Sequence, residues 1–500
     1  MFLYVHKVFF CKIQGGNNMK LIYGISDNPG LRKTLIFAFQ QMISIMAATL
    51  LVPMIITAEG LTMDPSAALF GAGAGTLVYI FCTKRKSPVF LGSSFTFLGA
   101  MTAAAQQNYG YWGLIIGVVF AGAVYIIISV ITKFIGSGWV NKLLPAVVIG
   151  PVVTIIGLGL SPTATQWMMY NGGDETTYGL ISIVCGLITF FTIVLTSTKG
   201  SKTFKLIPFI VGIGAGYVFT LILTGIGYAA NVDALKLVDF KPFTDAFGTI
   251  TFASFLRLPD FTFLKAIETN GTYPLDGAAI GNLALLFAPI GVVELAQHIA
   301  DHKNLGTIVE KDLIKDPGLS RTLMGDGLGS IVGAFFGGCA NTTYGESIGC
   351  VAITKNASVI SIMTAALGCI VLAFFTPFVA VINTIPKCVM GGACIAMYGF
   401  IAVSGLQMLK KVDLGDNRNL FVVASILVCG IGGLTFNFGK NGISGGAAFS
   451  ITSVAAALIV GLITNLIVGK RPAEEESGMV IVEEYPDSAE NSEPEKTETK

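Results

Sequence analysis

The sequence predicts an all-α polytopic membrane protein with about fourteen membrane-spanning segments, divided into two halves of seven. Three observations lead to this fold class. Of the 500 residues, 53% are hydrophobic and only 12% are charged, about half the charged fraction of a soluble chain. Apolar stretches of about 20 residues, the length that a helix needs to cross a bilayer, recur along the chain. Basic residues cluster at every second connection between these stretches, which is typical of cytoplasmic loops.

Seven predicted spans precede a long polar connection, residues 229–276, and seven follow it. The spans lie near residues 34–56, 65–83, 88–105, 111–134, 140–161, 177–197, 205–228, 277–302, 320–338, 342–354, 359–382, 388–409, 418–438 and 444–468. Within the connection, polar and apolar residues alternate at 247–252 and 260–263 and predict short extended pieces. Two halves with equal, odd numbers of spans must insert with opposite orientation, as in an inverted repeat.

The distribution of lysine and arginine predicts that both termini face the cytoplasm. Arg32 and Lys33 precede the first span and Lys84 to Lys86 follow the second, whereas the connection between these spans carries only Glu59 and Asp64. The predicted domains are a cytoplasmic tail (1–33), a first repeat (34–228), an extracellular loop (229–276), a second repeat (277–469) and a disordered acidic cytoplasmic tail (470–500).

The third segment of each half is abnormal. In the first half, P-V-F-L-G-S-S-F at 88–95 begins with a proline and is rich in β-forming residues. In the second half, G-G-C-A-N-T-T-Y-G-E at 337–346 is polar and broken by glycine. Unwound backbone at membrane depth survives only where protein or a cavity satisfies its polar groups. Matching interruptions in two halves therefore predict the central site of a transporter.

A polar face interrupts the apolar segment that opens the second half. Glu294, Gln297, His298 and Asp301 are spaced i, i+3, i+4 and i+7, so a helix places them on one side. Ionisable groups at membrane depth face a protein interior or a wet cavity and usually mark a substrate or ion path. The alternative is that the helix is near its end and that these groups lie in water.

Several functional classes are disfavoured by the composition. A net charge of +1 gives no electrostatic basis for binding nucleic acid. The 9 cysteines show no CxxC spacing and only 3 histidines are present, so we expect no metal and no other cofactor. The glycine-rich runs at 71–75 and 212–216 fit close helix packing better than nucleotide loops, so ATP is not the expected energy source.

Several runs of residues resemble bacterial uracil permeases of the nucleobase–ascorbate transporter family. The resemblance lies mainly in I-V-E-K-D-L-I-K-D-P-G-L-S-R-T-L (308–323), N-T-T-Y-G-E-S-I-G-C-V-A-I-T-K (341–355) and I-P-K-C-V-M-G-G (385–392). It implies a core domain of spans 1–4 and 8–11 and a gate domain of spans 5–7 and 12–14. It also implies a homodimer that forms through the gate domain.

The resemblance further implies a substrate site between the two broken segments. In it, Phe95 stacks on a nucleobase, while Glu346 and the backbone of Tyr344 and Gly345 meet the polar edge of the base. Three more residues match positions at or near the family's site: Gln40, Ala48 and Tyr398. A pyrimidine presents N–H donors and carbonyl acceptors in one plane, so a carboxylate or amide, helix N-terminal N–H groups and an aromatic face suit it chemically.

The chain departs from the family pattern on its polar helix. Gln297 stands where uracil permeases carry a base-binding glutamate, and a glutamine cannot take up a proton. Asp301 is the acidic one of the two residues that relatives carry at its position, whereas Glu294 stands where relatives carry an apolar residue. The candidate groups for proton coupling are therefore Glu294, Asp301, His298 and Glu346, although a neighbouring carbonyl or carboxylate could instead satisfy His298.

Two smaller departures accompany these. Gln41 stands where the family often has histidine, and Ser347 stands where it usually has asparagine.

The expected function is secondary active import of uracil or a related nucleobase across the cell membrane, coupled to a cation. The simplest coupling cation is a proton, with sodium as the alternative. A xanthine or purine permease is favoured by Asp301 but opposed by the N-T-T-Y-G-E run. A channel or facilitator is the alternative from another class. An intramembrane enzyme is disfavoured because no nucleophile or metal set accompanies the acidic residues.

Overall fold

A computed structural model describes residues 21–58, 60–136, 145–170, 179–201, 204–273, 275–439 and 447–468. The predicted acidic tail and most of the predicted N-terminal tail lie outside these residues. Within them, eight helical segments are long and apolar enough to cross a membrane, and three shorter apolar helices accompany them. The predicted all-α membrane fold is confirmed.

The described residues of the first half form eight α-helices and one short strand. They are α1 (Leu31–Ala58), α2 (Pro65–Cys82), β1 (Leu91–Ser93), α3 (Leu98–Gln106), α4 (Gly110–Ile135), α5 (Ala146–Gly159), α6 (Ser161–Tyr170), α7 (Leu180–Lys199) and α8 (Pro208–Ala230). The third predicted span is therefore a strand followed by a short helix, as its proline and β-forming residues indicate.

After the connecting loop, the second half begins with the same order of elements, two helices, a strand and a short helix. The loop holds α9 (Lys241–Phe247) and α10 (Thr262–Glu268). The remaining elements are α11 (Gly277–Val309), α12 (Leu319–Gly337), β2 (Asn341–Thr343), α13 (Gly345–Thr354), α14 (Val359–Ala373), α15 (Thr376–Asn383), α16 (Lys387–Met408), α17 (Asn417–Ile431), β3 (Phe436–Gly439), β4 (Ala447–Ile451) and α18 (Ser453–Ile467). Here too, the third predicted span is a strand followed by a short helix.

The prediction of extended pieces in the connecting loop is wrong. Residues 241–247 and 262–268 are short helices, and the loop's one described extended contact is an isolated bridge between Leu256 and Phe375. Proline occupies the first turn of α9, where its fixed backbone angle favours a helix start. At 247–252 and 260–263, where the alternation occurs, the described residues form no strand.

Two other predicted spans are interrupted. The segment at 359–382 divides into α14 and α15, and α15 again carries a proline in its first turn. The last two spans are shortened by an antiparallel hairpin of β3 and β4, which the sequence reasoning did not anticipate.

The helices pack in two groups, each drawn from both halves of the chain. In one group, α2 packs on α12 and α14, and α4 packs on α11 and α12. In the other, α5 packs on α16, α17 and α18, and α16 also contacts α6 and α7. These groups correspond to the expected core and gate domains.

The two broken segments meet inside the core group. Strands β1 and β2 pair antiparallel, with Leu91 opposite Thr343, Gly92 opposite Thr342 and Ser93 opposite Asn341. All six of these residues are buried. The pairing therefore satisfies backbone groups that the surrounding apolar side chains cannot.

Close packing of α2 against α12 holds the two strands together. A Cβ atom added to Gly75 would lie 2.6 Å from the carbonyl oxygen of Gly329, and one added to Gly71 would lie 2.7 Å from that of Gly333. Only glycine allows the two backbones to approach this closely. The glycine-rich run at 71–75 is thus a packing surface, as the sequence indicates.

We predict that Gly75→Ala destabilises the protein, because its methyl group must push α2 away from α12. Overpacking of this kind costs about 1–3 kcal/mol, and it should appear as a lower thermal unfolding midpoint in detergent. The matched control is Gly225→Ala on α8, where an added Cβ meets no atom within 4 Å. Equal midpoints for the two variants would contradict the packing argument.

Candidate functional site

Helix α11 runs alongside both paired strands and carries the polar face that the sequence singles out. Ser94, just after β1, donates a hydrogen bond of 3.3 Å from its hydroxyl to Oε1 of Glu294. Thr343, in β2, donates one of 3.1 Å from its hydroxyl to Oδ2 of Asp301. Gln297 lies between these two acids on the same face and is half-buried. The polar face of α11 is therefore fixed to the crossing of the two broken segments.

The carboxyl group of Glu294 is enclosed by protein. The residue is 2% exposed, and the hydroxyls of Thr96 and Thr342 lie beside its carboxylate. Its second oxygen, Oε2, is buried and has no hydrogen-bond partner within the described part of the chain. One of its two oxygens thus lacks the donor that a buried carboxylate requires.

An aromatic pair lies where the core group meets the gate group. The ring of Phe95, two residues after β1, lies 6.2 Å from the ring of Tyr398 on α16, with an interplanar angle of 71°. Both rings belong to one buried apolar cluster that also contains Ala48 and Tyr344. Of the residues that the resemblance implies for the site, Phe95 and Tyr398 therefore lie next to each other.

The N-terminus of α13 supplies the polar part of the site. Tyr344 precedes the helix in an extended conformation, and no side chain caps the helix N-terminus. The N–H groups of the first turn have no acceptor within their own helix, so they are available to a ligand. Gly345 is exposed and Glu346 is half-buried. A short carboxylate-bearing helix thus begins at the point where the unwound segment ends.

Tyr344 is itself held by the first broken segment. Its hydroxyl donates a hydrogen bond of 2.5 Å to the carbonyl oxygen of Ser93, and its ring lies where a side chain on Gly92 would be. Glycine at position 92 is therefore needed for this close approach.

A cleft of about 190 Å³ reaches Glu346 from between α13 and the start of α8. Lys205, Pro208 and Ser44 also line this cleft. It connects the carboxylate of Glu346 with the boundary between the core and gate groups.

Two departures from the family pattern bond to each other. The side-chain amide of Gln41 donates a hydrogen bond to the hydroxyl of Ser347, which also accepts the N–H of Phe90 at 3.0 Å. Both side chains are buried. Ser347 therefore joins α13 to the residue before β1, and Gln41 joins α1 to Ser347. Its neighbour Gln40 is half-buried, and its Oε1 has no partner among the described residues.

His298 turns toward α12 instead of the broken segments. Its Nδ1 lies 2.7 Å from Oδ2 of Asp326, its Nε2 lies 3.0 Å from the hydroxyl of Thr322, and all three residues are fully buried or nearly so. One turn later, His302 contacts the hydroxyl of Tyr79 on α2 through its Nε2 at 2.7 Å. These contacts fasten α11 to α12 and α2.

Sequence reasoning missed Asp326, Tyr79 and Ser94. Asp326 could have been found, because an acidic residue within the apolar segment 320–338 is as unusual as those on α11. Tyr79 and Ser94 gave no such signal, since neither is unusual in a membrane helix or loop.

The described residues contain no group of three or more histidine, cysteine or acidic side chains with the geometry of a metal site. The polar groups at the crossing are instead carboxylates, hydroxyls, amides and backbone N–H groups.

Comparison with known proteins identifies the family. A sequence model described as the Permease family matches residues 32–438, which is most of the chain. The chain belongs to the nucleobase–ascorbate transporter family. It is thus a multi-pass membrane permease, as the resemblance implies.

Curated relatives of this permease cover almost its whole length. A uracil permease of Bacillus caldolyticus is 36% identical over 460 residues, which are 92% of this chain and 97% of the relative. A uracil permease of Bacillus subtilis (strain 168) is 33% identical, over 91% of this chain and 97% of the relative. A uracil permease of Escherichia coli (strain K12) is 31% identical, over 90% and 96%.

Solved structures share the fold at low sequence identity. The transmembrane domain of a cyanobacterial bicarbonate transporter, BicA, superposes with a TM-score of 0.56 at 15% identity, covering 88% of this permease and 99% of that chain. The structure of SLC26A9 gives a TM-score of 0.55 at 12% identity, covering 88% and 66%. At these identities the likeness shows the transporter fold alone.

We predict that His298→Ala strongly destabilises the permease, because it leaves Asp326 buried without its partner. Removing one member of a buried pair costs about 3 kcal/mol or more, which thermal unfolding in detergent should detect. The control is Lys86→Ala, which breaks an exposed 2.7 Å ion pair with Asp316 and should cost about 1 kcal/mol or less. Similar losses in the two variants would contradict a structural role for the His298 pair.

Proposed function

We propose that this permease is a secondary active transporter that imports uracil or a closely related nucleobase together with a cation. The observation that carries the proposal is the pairing of β1 with β2. Phe95 follows β1 by two residues, and its ring lies 6.2 Å from that of Tyr398 in the gate group. Glu346 follows β2 by three residues and lines a cleft. The curated relatives support it, since proteins of this length and about one-third identity are named uracil permeases.

The groups at the crossing suit the polar edge and flat face of a pyrimidine. Phe95 offers an aromatic face, with Tyr398 across the boundary between the two helix groups. Glu346 can accept the ring N–H donors, and the uncapped N–H of Gly345 can donate to a ring carbonyl. The N–H of Tyr344 already donates to the carbonyl oxygen of Phe90 at 3.3 Å. Ala48 gives a small apolar wall.

Gln297 and Gln40 complete the proposed set of polar contacts. An amide can donate one hydrogen bond and accept one, which matches the alternating donors and acceptors of a nucleobase edge. Oε1 of Gln40 makes no hydrogen bond within the described residues, and the side chain of Gln297 is half-buried on the polar face of α11. Oε1 of Gln40 is thus available to a substrate.

Transport would proceed by alternating access, with the core group moving against the gate group around a site near the membrane midplane. Phe95 and Tyr398 lie on opposite sides of that boundary, so such a movement changes the contacts of a stacked base. The coupling cation is a proton in the simplest mechanism, and Glu294, Asp301, His298 and Glu346 are the candidate groups to carry it.

We further propose that the permease lies in the cell membrane with both termini in the cytoplasm and dimerises through its gate group. The orientation rests on the lysine and arginine distribution, which places residues 84–86 and 199–205 on one side. On this orientation the cleft that reaches Glu346 opens toward the cytoplasm at Lys205.

The test of this function is uptake of labelled uracil or xanthine by proteoliposomes, with an imposed pH or sodium gradient. The proposal expects saturable uracil accumulation above equilibrium that one of the two gradients drives. If the protein instead takes up xanthine in preference to uracil, it is a purine permease, the alternative that Asp301 favours. Uptake that never exceeds equilibrium under either gradient would indicate a facilitator and overturn symport.

We predict that Phe95→Ala weakens uracil binding about tenfold, since stacking a base on an aromatic ring contributes about 1–3 kcal/mol. Isothermal titration of the purified protein measures the change. The matched control is Phe81→Ala at the end of α2, whose side chain is 84% exposed and should leave binding unchanged. Unaltered affinity in Phe95→Ala would remove Phe95 from the site.

A further inference from the structure

Glu294 is an unusual feature of the membrane core. It is 2% exposed, only one of its oxygens accepts a hydrogen bond, and the other is buried without a donor in the described structure. No lysine or arginine of the described residues forms an ion pair with it. An ionised carboxylate in such a place is strongly disfavoured unless a positive charge joins it.

Within the described residues, the surroundings of Glu294 supply oxygen atoms and no positive charge. Three hydroxyls lie at or beside its carboxylate, those of Ser94, Thr96 and Thr342. The titratable groups that face it are Asp301 on its own helix, Asp326 on α12, Tyr125 on α4 and Tyr344 before α13. The nearby His298 already forms a hydrogen bond with Asp326. In the part of the chain that the structure describes, every facing group is an acid or a phenol, so a bound cation is the compensating charge that remains.

We propose that Glu294, with the hydroxyls of Ser94, Thr96 and Thr342, forms the binding site of the coupling cation, separate from the groups that meet the base. The ligand is a single positive charge, either a proton on the carboxyl group or a sodium ion held by the carboxylate and hydroxyl oxygens. This inference rests on the proposed transport function, because it names the cation site of that same transporter.

The position of the three hydroxyls explains how the cation and the base can be coupled. Ser94 and Thr96 stand on either side of Phe95 in the chain, and Thr342 lies in the strand that pairs with β1. A cation held at Glu294 therefore fixes the backbone on both sides of the stacking ring. Binding of the cation lowers the free energy of the arrangement that binds the base, and by linkage the base tightens binding of the cation.

The closing experiment measures thermal unfolding of the full-length permease in detergent, first without substrate. One arm varies pH at zero sodium, and the other varies sodium at fixed pH. A ligand that binds only the folded protein raises the unfolding midpoint with its concentration. We expect a rising midpoint in one arm for the unaltered protein, which identifies the cation, and a flat response in that arm for Glu294→Gln.

The matched control is Glu310→Gln, the same substitution at the exposed C-terminal cap of α11. It should keep the full response of the unaltered protein. Ser94→Ala retains the carboxylate but removes one hydroxyl, so it should shift the midpoint of the cation titration. It also provides the test if Glu294→Gln does not fold. A cation response that persists in Glu294→Gln overturns the proposal. If Glu294→Gln does not fold, an unshifted cation response in Ser94→Ala overturns it instead.

Repeating the titrations with uracil distinguishes the cation site from the transport function. For the unaltered protein we expect uracil affinity to rise about tenfold with the cation that the first measurement identifies, and Glu294→Gln to bind uracil without that dependence. If the cation response requires Glu294 but uracil does not bind, the result supports the cation site and refutes uracil as the substrate. Uracil binding with a cation dependence that Glu294→Gln preserves would refute the site alone.

Discussion

The pairing of β1 with β2 is the interaction on which the rest of this structure depends. Two stretches of unwound backbone cross inside a membrane domain, where water cannot satisfy their N–H and C=O groups. They bond to each other, and the pairing extends beyond the strands through the N–H of Ser94 to the carbonyl of Ala340 at 2.8 Å. The N–H of Leu91 also donates a hydrogen bond of 2.9 Å to the hydroxyl of Thr76. Without this pairing, neither half could interrupt its third span.

The crossing also determines where the polar groups of the core can lie. Each strand leads into a short helix whose N-terminus has no side-chain cap, so first-turn N–H groups are available near the crossing from both halves. The same geometry places α11 within hydrogen-bonding reach of both strands, through Glu294 at one and Asp301 at the other. A polar helix is tolerated here because the broken segments provide the hydroxyl partners that lipid or apolar helices would not.

The sequence predicts the breaks better than it predicts the contacts between them. Pro88 and the glycines at 337–338 are local signals of a broken helix. The spacing of Glu294 and Asp301 is a helical periodicity. Each of these features can be recognised within a short stretch of sequence. The bond of Gln41 to Ser347 joins residues 306 positions apart, and that of His298 to Asp326 depends on how α11 packs on α12. The β3–β4 hairpin was missed because its residues also fit the end and the beginning of apolar spans.

Pairwise contacts change how the departures from the family pattern are understood. Gln41 and Ser347 each depart from it, yet they bond to each other, so together they join α1 to α13. Gln297 and Glu294 lie three residues apart, which on a helix is a displacement of about 4.5 Å along the axis. Moving the acid by this distance takes it away from the proposed edge of the base and toward hydroxyls beside Phe95. In the proposed function a neutral amide contacts the base in every protonation state, while the proposed cation site lies by the hydroxyls of Ser94 and Thr96, on either side of Phe95 in the chain.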